Sequence, residues 1–70
     1  MKSPSAFEIS AARAAAGLTQ TEAAAVVYVT LRTWQFWEAD ARAMPPGLFE
    51  LFLLKTKQTT LAKAIRGSTV

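Results

Sequence analysis

Apolar and small residues recur at helical spacing in five runs along this 70-residue chain, and polar capping residues stand at the head of four of them. In the first run Ile9, Ala12 and Ala16 share one face. Ser5 with Glu8 makes a capping box at its start, and Gly17 ends it in a left-handed turn. The second, about Gln20 to Val27, begins with Thr19 as cap and Glu22 three residues on, and buries Ala23, Ala24 and Val27. The third, about Leu31 to Glu38, is capped by Thr30. Trp34 and Trp37, three residues apart, point one way and are expected in the core, which leaves Leu31, Arg32, Gln35 and Phe36 facing outward.

Ala41 to Gly47 reads as a loop, and Pro45-Pro46 sets up a fourth helix from about Pro46 to Lys55. Its sequence is apolar over more than one stripe. Leu48, Leu51 and Phe52 are expected to close the core on Trp34 and Trp37, while Phe49, Leu53 and Leu54 need a second partner. Thr59 or Thr60 caps a fifth helix over 59–66, in which Leu61, Ala62 and Ile65 repeat before Gly67. That helix is expected to cover the second face and to form, with Phe49, Leu53, Leu61 and Ile65, a two-fold interface with a second copy. The pattern predicts an all-α fold, a compact five-helix bundle in a single domain, 1–70, with 59–66 as a C-terminal dimerisation helix.

Length sharpens the expectation of self-association. A chain this short buries only about 60% of its unfolded surface. It has no Cys for disulfides, and without Cys or His the usual zinc ligands are missing, so no metal or other cofactor is expected. A hydrophobic content of 51% in so short a chain favours burial against a copy of itself. The same missing His and Cys remove the usual bases and nucleophiles, so an enzyme is not expected. No stretch approaches the roughly 18 apolar residues of a membrane span, and no signal-peptide core follows Met1. A cytoplasmic location is the expectation.

Two short helices joined by so tight a connection form a helix-turn-helix, whose second helix can enter the DNA major groove. A net charge of +3 is compatible with a polyanion without requiring one. On the outward face of the third helix, Arg32 can take guanine O6 and N7, Gln35 can take adenine, and Leu31 or Phe36 can touch a thymine methyl. Gln20, Thr30 and Thr33, near the positive ends of two helices, and Arg42 just past the third are placed for phosphates.

Arg13, Gly17, Leu18, Thr19, Gln20, Glu22, Ala24, Val27, Val29, Trp34 and Glu38 together resemble the pattern of the Cro/C1-type (XRE) phage repressors over roughly residues 9 to 55. The stretch TWQFWE and the later R.MP and FELF are also similar to small helix-turn-helix regulators of mobile elements, among them those encoded beside anti-CRISPR genes. The resemblance implies a lambda-repressor-like DNA-binding domain and a structural ion pair between Arg13 and Glu38. Three positions depart from the family pattern. Tyr28 replaces the usual turn Gly, where a left-handed backbone costs a non-Gly residue about 1 kcal/mol or more. Ala23 replaces the usual Leu, which Trp34 in place of Ile or Val is expected to balance in volume. Ala39-Asp40 replaces Glu-Asn-Gly or Glu-Arg-Gly.

The leading expectation is therefore a sequence-specific transcriptional regulator of phage or mobile-element type. It is expected to act as a homodimeric autorepressor on double-stranded DNA carrying an inverted-repeat operator, with no small-molecule ligand and no membrane partner. The alternative is an antitoxin-like protein-interaction module that uses Leu31, Phe36, Phe49 and Leu53 on the same fold.

Overall fold

The computed structural model describes residues 2–58, which form four helices: α1 (Ala6–Ala16), α2 (Gln20–Val26), α3 (Leu31–Glu38) and α4 (Pro46–Lys55). The fold is all-helical and compact. The expected fifth helix, with Leu61 and Ile65, lies outside the described residues, so the described bundle has four helices where five were predicted.

Local chemistry starts each helix where the sequence predicts. Glu8 N–H donates to Ser5 Oγ at 3.1 Å, and Ser5 N–H donates to the Glu8 carboxylate at 2.8 Å. Thr19 and Glu22 repeat the arrangement at 3.1 and 2.8 Å. Thr30 Oγ1 accepts from Thr33 N–H at 3.3 Å, and α4 begins on Pro45-Pro46, whose missing N–H costs nothing in a first turn.

All four helices end the same way. Past the end of each helix an N–H reaches back to the carbonyl five residues earlier: Leu18 to Arg13, Val29 to Ala24, Ala41 to Phe36 and Gln58 to Leu53. This closure needs a left-handed residue, and the four are Gly17 (φ 71°), Tyr28 (φ 62°), Asp40 (φ 60°) and Lys57 (φ 62°). Only the first is the residue that the backbone favours. The closure at Tyr28 ends α2 one residue earlier than expected, with Val27 as the cap.

The three non-glycine turns lie at exposed positions, each closed by backbone hydrogen bonds onto the last turn of its helix. α2 packs on α3 and on α4, and α1 packs on α3. Ile9, Ala12, Ala23, Ala24, Val27, Trp34, Trp37, Met44 and Phe52 form one buried cluster. The Trp34 ring meets Trp37 edge-on at 5.7 Å between centroids and Phe52 at 5.0 Å. Ala23 and Trp34 are fully buried in the same cluster, consistent with a small residue giving room to a large one.

Two features of the packing are not given by helical periodicity. Met44, the one large apolar residue in the loop before α4, is fully buried. Phe49 and Leu53, expected at a two-fold interface, are partly buried against this chain's own core and keep part of their surface exposed.

Candidate nucleic-acid interface

The third helix divides sharply. Trp34 and Trp37 are buried, and Leu31, Arg32 and Gln35 are exposed on the other side, Leu31 at 39%. Phe36 is half-buried, and two guanidiniums lie over its ring: Arg32 at 5.4 Å and Arg42 at 4.9 Å from the centroid. Arg42 arrives there through the turn at Asp40. Its N–H and that of Ala41 both donate to the Phe36 carbonyl, at 3.3 and 2.9 Å. The structure thus brings Leu31, Arg32, Gln35, Phe36 and Arg42 to one surface. Among the described residues neither Arg32 nor Arg42 has a carboxylate partner.

Behind that surface stands Glu38. Arg13 Nε donates to its Oε2 at 2.6 Å and Arg13 Nη2 to its Oε1 at 3.2 Å, so the pair implied by the family pattern is present and bidentate. Arg13 Nη1 also donates to the Leu18 carbonyl at 3.1 Å, fastening the end of α1 to the start of α2. Gln20 Nε2 donates to Glu38 Oε1 at 3.2 Å, and Trp34 Nε1 donates to Oε2. Burial pushes the Glu38 carboxyl up, but the hydrogen bonds from Arg13, Trp34 and Gln20, with the charge of Arg13, hold it below the usual carboxylate range. The hydrogen bond to Glu38 raises the Arg13 guanidinium in turn.

This cluster sets an orientation that spacing alone does not reveal. A carboxylate only accepts, so Gln20 must turn its amide nitrogen toward Glu38 and its oxygen away. That oxygen accepts from Gln35 Nε2 at 3.4 Å. Gln35 is left with its own oxygen and one N–H for a partner, which is the acceptor and donor pair that an adenine edge requires. Gln20, expected at a phosphate, is thus engaged on both sides, with one N–H to spare. Trp34 and Glu38, four residues apart on one helix, were the sequence signal for part of this network.

Thr30 and Thr33 join hydroxyls at 3.1 Å at the start of α3. Thr30 is exposed and Thr33 half-buried. At the opposite edge Lys55 Nζ donates to the Val26 carbonyl at 3.0 Å and the Tyr28 hydroxyl at 2.7 Å, and stands 4.2 Å from the Tyr28 ring centroid. The hydrogen bond from Lys55 lowers the Tyr28 phenol from its ordinary range, and the charge of Lys55 adds to the effect. No sequence signal pointed to this strut.

Among the described residues no helix is long and apolar enough to cross a membrane, and no group of acidic side chains gathers as a metal site. Comparison with models of known protein families and with characterised proteins finds no match.

Proposed function

We propose that the chain is a sequence-specific DNA-binding regulator in which α2 and α3 act as a helix-turn-helix and α3 enters the major groove. The observation that carries this reading is the surface of α3, where Arg32, Gln35 and Leu31 stand exposed beside Arg42, which has no carboxylate partner among the described residues. Arg32 supplies two parallel donors for guanine, Gln35 a donor and an acceptor for adenine, and Leu31 an apolar contact for a thymine methyl. Thr30, Thr33 and Arg42 serve the phosphates on either side. As a homodimer it presents two copies of α3 about 34 Å apart to an inverted repeat. Acting on its own promoter as a phage-type repressor is the simplest regulation that such a module supports.

The test is fluorescence anisotropy with the duplex upstream of the protein's own gene, against an unrelated competitor, over a range of salt. The expected result is binding that survives competition and weakens with a log-log slope near −0.9 per phosphate contacted. Binding shared equally with the competitor overturns sequence specificity. No binding at all leaves the exposed Leu31 to the antitoxin-like reading, which a pull-down of a protein partner then tests.

A further inference from the structure

We infer that Phe36 is a positioning residue for the DNA-facing surface, holding Arg32 and Arg42 as one unit, and is not itself a base contact. The inference rests on the DNA-binding reading and deepens it.

Both guanidiniums lie within cation–π range of one ring, at 5.4 and 4.9 Å, although one is carried by the helix and the other by the segment after it. Two like charges gathered around one ring repel, and among the described residues neither forms an ion pair with a carboxylate. Such an arrangement is suited to an anion that is not part of the chain. The ring compensates by offering its negative face to both cations, and it limits the rotamers that each long side chain must surrender on binding. Backbone geometry supports the same role, because the Phe36 carbonyl accepts from both Ala41 and Arg42 and so fixes the root of the second arginine. The half-buried ring is already engaged by two guanidiniums, which compete with a thymine methyl for its face. An aliphatic side chain would touch a methyl as well as phenylalanine does, but it has no quadrupole to hold a guanidinium. That difference separates the two roles.

The experiment uses the full chain and a duplex selected by the wild-type protein from a random library, with anisotropy titrations at several salt concentrations and a thermal melt of each variant. Phe36→Leu is expected to melt cooperatively, to weaken binding about tenfold or more, and to reduce the salt slope by about one phosphate equivalent. Phe36→Tyr, which keeps the ring face, is expected to stay within about threefold of wild type. Arg42→Ala is expected to cost about tenfold in the wild-type background and less than about twofold beside Phe36→Leu, because the arginine there is already displaced. That last comparison holds even if Phe36→Leu loses some stability. Equal losses for the Leu and Tyr variants, an unchanged salt slope in Phe36→Leu, or additive effects of the Phe36 and Arg42 substitutions each overturn the positioning role while DNA binding stands. A wild-type protein that selects no duplex overturns both.

Discussion

Trp34 donates its indole N–H to Glu38 one turn further along α3, so the largest buried side chain and the acceptor of the Arg13 ion pair are held by the same hydrogen bond. The core and the polar cluster behind the candidate interface are therefore one structure. Loosening either should disturb the other.

The cluster makes stability depend on acid. The Glu38 carboxyl is held below its ordinary value in the folded chain, so its contribution is complete above the unfolded value of about 4.3 and is lost as pH falls through the lower folded value. Glu38→Gln lacks that contribution. At pH 7 the variant is expected to be less stable by about 1 to 3 kcal/mol, and the gap should narrow below about pH 4. Thermal melts of both proteins from pH 7 to pH 3 check this, and a gap independent of pH would contradict it.

Arg13→Ala leaves a partly buried carboxylate with Gln20 and Trp34 as its remaining donors. A loss of about 2 kcal/mol is expected, equivalent to a fall in Tm of roughly 8 to 16 °C for a domain of this size. Restoring charge with Arg13→Lys should recover only part of it, since a single ammonium cannot reproduce the bidentate fork.

Ala23→Leu tests how volume is shared in the core. Ala23 is fully buried in the cluster that holds Trp34, so the larger side chain should cost about 1 to 3 kcal/mol through overpacking. Combined with Trp34→Ile, the pair should be less destabilised than the two single changes added together. Additivity in chemical denaturation would show that the two sites do not share space.

Left-handed helix ends give a contrasting pair. Lys57→Gly should stabilise by about 1 kcal/mol, since its left-handed backbone favours glycine. Tyr28→Gly relieves the same backbone cost but discards the Lys55 strut, so it should gain less than Lys57→Gly. In a Lys55→Ala background the Tyr28→Gly gain should grow. Equal gains in both backgrounds, measured by thermal melts, would remove the strut as an explanation for the turn.

On DNA, Arg32→Ala is expected to cost about 1 to 3 kcal/mol and relax preference at one base pair, while Arg42→Ala should weaken all sequences alike and reduce the salt slope by about one. Binding to a panel of single-base operator variants separates the two patterns. An Arg32→Ala protein with unchanged affinity and preference would move the reading surface off α3.

Sequence alone determined where helices begin and which side of α3 is buried. Caps such as Ser5 with Glu8 and Thr19 with Glu22 act between residues three apart, and two tryptophans at i and i+3 share a face whatever surrounds them. The outward row of Leu31, Arg32 and Gln35 followed from that same periodicity. Tertiary structure decided what distance along the chain conceals. Tyr28 takes a left-handed conformation that its residue type disfavours, with Lys55, 27 residues beyond it, donating to its hydroxyl. Met44 is buried in the shared core although it stands in a loop. Phe49 and Leu53 are partly buried against a core drawn from all four helices. Gln20 faces two ways because Glu38 and Gln35, 18 and 15 residues beyond it, converge on its amide. Local rules reach one helical turn, and each of these outcomes depends on groups brought together from further away.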